Sequence, residues 1–132
     1  MRSLKCLFIA LILAGSSAAL GAASPNKVSG TITVVTNTGS IAEVEFGGSL
    51  VGSATEVYTA ASHDGKVILH GMGSFTGTFE GRSVSFTYRF NGHTEGESLV
   101  GQITIDPLSG VQGHVSFEGV GNDFTYDGSI VL

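Results

Sequence analysis

From residue 28 to the end of the chain, apolar and polar residues alternate with a spacing of two, and Gly, Asn and Asp interrupt the alternation at short intervals. This spacing is typical of β-strands with one buried face, whereas an amphipathic helix repeats about every 3.6 residues. The helical spacing does not occur in this part of the sequence. The pattern predicts eight strands, at 28–34, 41–46, 50–60, 67–79, 82–91, 98–106, 111–118 and 124–132.

The connections between these strands are short and leave no room for a crossover helix, so neighbouring strands must run antiparallel. Asp64-Gly65 suits the positive φ angles of a tight hairpin turn, and Glu80-Gly81 makes a second two-residue turn. Closing the sheet on itself would remove its exposed edges. We therefore predict an all-β fold, an eight-stranded antiparallel β-barrel, with a β-sandwich as the alternative.

Glycines stand where strand-forming residues are expected in the hairpin at 73–90, GSFTGTFEGRSVSFTYRF. With Glu80-Gly81 as the turn, Gly73 lies opposite Tyr88 and Phe75 lies opposite Phe86. Glycine opposite an aromatic ring relieves crowding on the concave face of a curved sheet. The hairpin therefore predicts a barrel interior that alternates small and large residues. The alternative is a set of bulges at the edges of a flat sandwich.

The later strands show which face is buried. In the strand at 98–106, Ile103 and Ile105 share one face, while Gln102 and Thr104 share the other. We expect the apolar face to point inward and the Ser/Thr-rich face to meet water. A barrel of the outer-membrane type has the opposite arrangement, so we predict no membrane insertion.

The first residues read MRSLKCLFIALILAGSSAALGAAS. Arg2 and Lys5 make a basic start, the apolar run at 7–13 is too short to span a bilayer, and small residues follow. These features predict a secretory signal peptide at 1–23, a single barrel domain at 24–132, and a secreted or periplasmic protein.

The charge of the chain limits its partners. The formal net charge is −5, and removal of the predicted signal would take away Arg2 and Lys5 and make the chain more acidic. Such a chain is a poor partner for nucleic acid. Cys6, the only cysteine, lies within the predicted signal, so the mature domain must rely on core burial and cannot use disulfides.

Three stretches resemble motifs of a bacterial domain family of unknown function whose fold is related to the allene oxide cyclase-like β-barrels. They are GSFTGTFEGRSVSF at 73–86, PLSGVQGHVSFEG at 107–119 and GSATEVY at 52–58. The second stretch departs from the family pattern at Val111-Gln112. The resemblance implies an eight-stranded barrel. Relatives of this barrel include plant cyclases, dirigent proteins and bacterial cyclases of natural products, which implies a small apolar ligand in the barrel mouth. The resemblance to this family implies no catalytic residue in the chain.

The strand at 50–60 carries the candidate chemistry. Gly52, Ala54, Glu56 and Tyr58 share one face, and β-branched residues such as Val57 share the other. If the first face points inward, its small residues leave room into which Glu56 and Tyr58 project. A carboxyl group in an apolar cavity has a raised pKa and can act as acid or base near neutral pH, and a tyrosine can stabilise an oxyanion. If the β-branched face points inward, Glu56 lies in solvent. The pattern leaves both registers open.

Four aromatic residues complete the predicted site. On the inward faces we place Phe75, Phe86, Tyr88 and Tyr126 as candidate pocket-lining residues; ordinary core packing is the alternative for them.

Other chemistries find little support in the sequence. The histidines at 63, 70, 93 and 114 are scattered and lack the close spacing of metal ligands, so we expect no metal site and no cofactor. The nucleophile turn G-x-S-x-G is also absent from the sequence.

The sequence therefore predicts an exported barrel that binds a small hydrophobic molecule, either as a carrier or as a cofactor-free isomerase or cyclase that uses Glu56 and Tyr58. The alternative is a noncatalytic extracellular module with a packed interior. In that case Met72 and Val100, on the predicted outer face, are candidates for a contact between copies of the chain.

Overall fold

A computed structural model describes residues 25–132. The predicted signal peptide at 1–23 lies outside the described residues. The strands are β1 (Asn26–Asn37), β2 (Ile41–Gly48), β3 (Leu50–His63), β4 (Lys66–Phe79), β5 (Arg82–Glu95), β6 (Ser98–Ile105), β7 (Gln112–Val120) and β8 (Asp123–Val131). One turn of 3₁₀ helix, Pro107–Ser109, joins β6 to β7. Within residues 25–132, no helix is long and apolar enough to cross a membrane.

The strands form one closed barrel in chain order, and β1 closes it by pairing with β8. Every neighbouring pair is antiparallel. The prediction of an all-β, eight-stranded antiparallel barrel is confirmed, and the sandwich alternative is wrong. Closure satisfies the backbone hydrogen bonds that would otherwise be exposed along two edge strands.

The two predicted hairpin turns set the register of the central strands. Asp64 and Glu80 have φ angles of 51° and 52°, and each is followed by a glycine with positive φ. Two successive residues with positive φ match the right-handed twist of the flanking strands. The turn at Glu80 places Gly73 opposite Tyr88 and Phe75 opposite Phe86, as predicted.

Strands β3, β4 and β5 are longer than predicted. Pairing between β3 and β4 continues to His63 and Lys66 beside the turn, although the residues there are exposed. Backbone hydrogen bonds between strands do not require buried side chains. Strand pairing therefore extends further along the chain than the alternation of apolar and polar residues on which the prediction relied.

The inward faces form one core, and the Ser/Thr-rich faces point outward as predicted. Its buried members are Val28, Ile32, Ala42, Val44, Phe46, Leu50, Ala54, Phe75, Phe79, Phe86, Tyr88, Phe90, Ile103, Ile105, Val111, Val115, Tyr126 and Ile130.

One end of the barrel, which carries the β2–β3 and β4–β5 turns, is tightly packed; we call it the packed end. Phe75 lies at its centre, 4.9 Å from Phe86 and 5.1 Å from Phe46 between ring centroids. The hydroxyl of Tyr126 accepts a hydrogen bond from the Leu50 N–H and donates one to the Gly47 carbonyl, both 3.0 Å long. These bonds tie the β2–β3 turn to β8 across β1, where Gly30 lies between Gly48 and Tyr126.

The opposite end, which we call the open end, carries the β1–β2, β3–β4, β5–β6 and β7–β8 turns. Aromatic packing is sparser here: Phe117 and Phe124 form an edge-to-face pair with ring centroids 5.9 Å apart. Both rings are only half-buried. The interior is therefore filled unevenly from one end to the other.

Candidate functional site

A cavity of about 150 Å³ lies inside the open end. Its walls are mostly aliphatic and aromatic. The lining residues are Ile32, Val34, Asn37, Ala42, Val44, Glu56, Tyr58, Leu69, Phe90, Leu99, Ile103, Phe117, Gly121, Asn122 and Phe124. Because Asn37, Gly121 and Asn122 are exposed, the cavity reaches the solvent between the β1–β2 and β7–β8 turns.

The face of β3 that bears Glu56 points into the barrel. Ala54 is buried and Glu56 and Tyr58 are half-buried, whereas Val57 is 59 % exposed on the outer face. The register that the alternation left open is thus decided, and Glu56 and Tyr58 both line the cavity.

Glu56 lies in a row of inward-facing positions that crosses four strands. Its neighbour on β2 is Ala42 and its neighbour on β4 is Gly73; the next position, on β5, is Tyr88. The two residues that flank Glu56 are therefore small, and the carboxyl group has space on both sides.

Gly73 lets Tyr88 reach that carboxyl group. The ring of Tyr88 lies directly over Gly73, and any side chain at 73 would collide with it. The Tyr88 hydroxyl donates a hydrogen bond of 2.6 Å to Oε2 of Glu56. Because Tyr88 is only 1 % exposed and packs between Phe86 and Phe90, its hydroxyl is held in place.

Burial governs the protonation of this pair. Desolvation raises the pKa of Glu56 above its ordinary value of 4.5, and the hydrogen bond from Tyr88 offsets part of that rise. Burial and the nearby Glu56 carboxyl raise the pKa of Tyr88 well above its ordinary value of 10.0, so this phenol stays neutral. A carboxyl group of this kind can give or take a proton closer to neutral pH than an exposed one.

Tyr58 lines the same cavity with a different partner. Its hydroxyl donates a 2.6 Å hydrogen bond to Oδ1 of Asn37, which also accepts a 2.8 Å bond from the N–H of Gly39. We expected Tyr58 to act beside Glu56. The structure brings both to one cavity, but the phenol that bonds to Glu56 is Tyr88.

The other aromatic candidates are placed differently from the prediction. Phe75, Phe86 and Tyr126 belong to the packed end and do not line the cavity in the described part of the chain. Their rings pack in the buried core at that end, which is the arrangement that the sequence offered as the alternative to lining a pocket. Tyr88 contributes its hydroxyl to the site through Glu56 while its ring belongs to the core.

Sequence reasoning missed the Glu56–Tyr88 pair and Asn37, although a signal for the pair was present. The turn at Asp64-Gly65 places Glu56 opposite Gly73, and the turn at Glu80-Gly81 places Tyr88 opposite Gly73. Combining the two registers puts the carboxyl and the phenol on either side of a glycine. Asn37 had no such signal, because its position depends on a register shift between Val34 and Thr36.

Within residues 25–132, no three side chains of His, Cys, Asp or Glu come together as a group that could hold a metal ion. His93 forms a 2.9 Å contact with Glu95, and His63 lies 3.4 Å from Asp64, both near the surface. The polar side chains that line the cavity are the carboxyl group of Glu56, the phenol of Tyr58 and the amides of Asn37 and Asn122.

The chain matches no model of a known protein family and no curated protein. The resemblance to the bacterial family with an allene oxide cyclase-like barrel accordingly rests on the three quoted motifs and stays a prediction.

Proposed function

We propose that this protein binds a small hydrophobic molecule inside the open end of its barrel. The proposal rests on one observation. The carboxyl group of Glu56 lies in the wall of a largely apolar cavity, where a hydrogen bond from Tyr88 holds it in place. Ligand pockets are typically apolar with a few convergent polar groups that orient the ligand. Burying a carboxyl group costs free energy, so a site with this composition favours a role in binding over a role in stability.

The cavity size limits the ligand. An apolar protein cavity of about 150 Å³ accommodates a molecule the size of benzene, and the cavity here is about 150 Å³. The ligand is therefore a single small ring or a short branched chain, or the terminal part of a longer molecule that extends past Asn122 into solvent.

The same site supports a cofactor-free isomerase or cyclase as a more specific form of the proposal. Glu56 would serve as general acid or base, since burial raises its pKa and brings proton transfer closer to neutral pH than in an exposed carboxyl group. Tyr58, which lines the same cavity wall, would help to hold the substrate in a reactive conformation. Walls that confine a flexible substrate reduce the entropy cost of reaching a cyclic transition state.

A noncatalytic module with a fully packed interior is the second candidate function. An exposed apolar patch on the outer face favours this second candidate. Three residues that are paired across β2, β3 and β4 form the patch, and each is at least 46 % exposed: Ile41, Val57 and Met72. Val100, the other predicted contact residue, is half-buried. The unfilled open end is not expected of such a module.

The proposal includes export of the chain, with removal of residues 1–23 and function in the periplasm or the medium. Intact-mass measurement of the protein from its own host tests this. We expect a chain that begins at Ser24; a chain that keeps its first 23 residues would contradict export by this route. Native mass spectrometry of the same sample would detect a small molecule that copurifies.

Binding can be tested by filling the cavity. Leu69 lines it, whereas Ile68, the preceding residue on β4, is 46 % exposed on the outer face. In a titration with methylenecyclohexane followed by NMR, we expect shifts of the amides of Ala42 and Phe90 in the wild type and in Ile68→Trp. We expect no saturable shift in Leu69→Trp, because the indole ring occupies the cavity.

If Leu69→Trp is too unstable to study, Leu99→Trp fills the cavity from the β6 wall. Saturable shifts that persist in a folded cavity-filled variant would place the binding elsewhere. The absence of any saturable shift in the wild type with methylenecyclohexane, cyclohexanone or cyclohexylamine would overturn the proposed function.

A further inference from the structure

One oxygen of the Glu56 carboxyl group is left for an occupant of the cavity. Oε2 accepts the hydrogen bond from Tyr88, and Oε1 has no hydrogen-bond partner among residues 25–132. A carboxyl group normally uses both oxygens when it is removed from water. Oε1 is therefore the oxygen of this carboxyl group that no described side chain occupies, and a ligand that displaces solvent from the cavity would need to complete its hydrogen bonding.

The direction of the Tyr88 bond determines where an acid proton lies. Within residues 25–132, Glu56 is the only hydrogen-bond partner of the Tyr88 hydroxyl, and this phenol is almost fully buried. A buried phenol donates its proton where an acceptor is within reach. Oε2 is then the acceptor, and the proton of the neutral acid lies on Oε1, where it can be donated into the cavity.

The second polar group of the wall also presents a donor. Oδ1 of Asn37 accepts from both Tyr58 and the N–H of Gly39. This assigns the oxygen and nitrogen of the amide, because a backbone N–H can only donate. The Nδ2 group of Asn37 is the part of the amide that those two bonds leave for a ligand.

We propose that the ligand carries a hydrogen-bond-accepting oxygen on a small apolar body, as a ketone, aldehyde or lactone does. We further propose that protonated Glu56 donates to that oxygen, so that affinity falls when Glu56 ionises. This inference rests on the proposed function, since it names the class of ligand for the same cavity.

The groups around Glu56 are consistent with a single titration. The side chains that face it are the phenol of Tyr88, from β5, and the phenol of Tyr58, on β3 itself; its neighbours Ala42 and Gly73 carry no charge. The charged or titratable neighbours on the adjacent strands are exposed on the outer face: Glu43, His70 and Arg89.

Burial raises the pKa of Glu56, which keeps the donor form present at higher pH than in an exposed carboxyl group.

Three probes with the same six-membered ring test the inference on the protein as its host processes it: cyclohexanone, methylenecyclohexane and cyclohexylamine. Affinities are measured by NMR titration at a series of pH values, on the wild type, Glu56→Gln and Tyr88→Phe. At low pH we expect cyclohexanone to bind about three- to tenfold more tightly than the hydrocarbon, the usual effect of one hydrogen bond. This preference should disappear as Glu56 loses its proton.

The two variants distinguish the effect of the hydrogen-bond donor at position 56 on binding from the effect of ionisation of Glu56. Glu56→Gln keeps an N–H donor that does not titrate, so its preference for the ketone should persist without pH dependence. Tyr88→Phe removes a hydrogen bond that lowers the pKa of Glu56. We therefore expect its loss of ketone affinity to occur at higher pH than in the wild type.

The outcomes distinguish the two proposals. Equal, pH-independent binding of ketone and hydrocarbon would overturn this inference and leave the proposed function standing. Tightest binding of cyclohexylamine as its ammonium ion at every pH would overturn it too, because it would show an ionised Glu56 acting as acceptor. Failure of all three probes to bind would overturn both proposals.

Discussion

The two ends of the barrel are built from the same strands and differ in how their interiors are filled. At the packed end, large rings such as Phe75 interlock and the Tyr126 hydroxyl is satisfied by backbone groups. At the open end, Ala42 and Gly73 replace bulky side chains, and a carboxyl group occupies the space between them. The comparison teaches that close packing at one end of the barrel supports a cavity and a partly buried carboxyl group at the other end.

The comparison is tested most strongly by truncating one side chain at each end. Phe75→Ala removes a fully buried ring, and we expect it to lower the free energy of unfolding by about 3–5 kcal/mol. Leu69→Ala, in the half-buried wall of the cavity, should cost about 1 kcal/mol because less apolar surface is lost and the space is already unfilled. Urea denaturation measures both. Equal losses would show that the ends are equally packed and contradict the comparison.

A smaller effect is expected from removing one tyrosine hydroxyl at each end. Tyr126→Phe leaves the buried N–H of Leu50 without its acceptor, and we expect a loss of about 1–3 kcal/mol. Tyr58→Phe breaks an exposed bond to Asn37, where water can replace the hydroxyl, so we expect a loss of about 0.5 kcal/mol. Thermal and urea unfolding give both values. A larger cost at Tyr58 would mean that the open end, too, depends on its polar contacts for stability.

The smallest effect is the pH dependence that Glu56 gives to stability. Its pKa in the folded protein is raised above the ordinary value of 4.5, so the folded state binds more protons than the unfolded state between those two pKa values. The free energy of unfolding should therefore fall as pH rises from about 4.5 through the folded pKa, and this contribution should stay lost above it. Exposed carboxyl groups in favourable pairs have the opposite dependence.

Glu56→Gln should remove this contribution, so that its stability relative to the wild type improves as pH rises. Glu43→Gln, which changes an exposed glutamate on the outer face of β2, is the matched control for the loss of one carboxyl group. Unfolding curves from about pH 4 to pH 8 provide the test. Parallel profiles for the wild type and Glu56→Gln would indicate that Glu56 is not desolvated.

Much of the fold could be predicted because the signals for it are local. The alternation of apolar and polar residues defines strands, and the turns at Asp64-Gly65 and Glu80-Gly81 define hairpin registers. The same turn at Glu80 correctly paired Gly73 with Tyr88. Strand ends were less well predicted, since pairing between β3 and β4 extends to exposed residues beside the turn.

The candidate site could be predicted in part. Glu56 and Tyr58 were found because they interrupt a face of small residues, and both line the cavity. Phe75 and Tyr126 pack in the core and not along this cavity, and the sequence could not separate the two placements, since an inward-facing aromatic residue has the same pattern in a filled core and in a cavity wall. Position along the barrel axis separates the two cases, and it depends on how all eight strands are staggered.

The sequence by itself determined that this chain forms antiparallel strands with a polar face, an apolar face and glycines opposite large rings, because strand period and turn chemistry act over a few residues. Only the tertiary structure decided which face of β3 points inward, that Tyr88 rather than Tyr58 bonds to Glu56, and that a cavity is left at one end. Those outcomes depend on closure of the barrel, which brings side chains from distant strands into one volume and determines where that volume is filled.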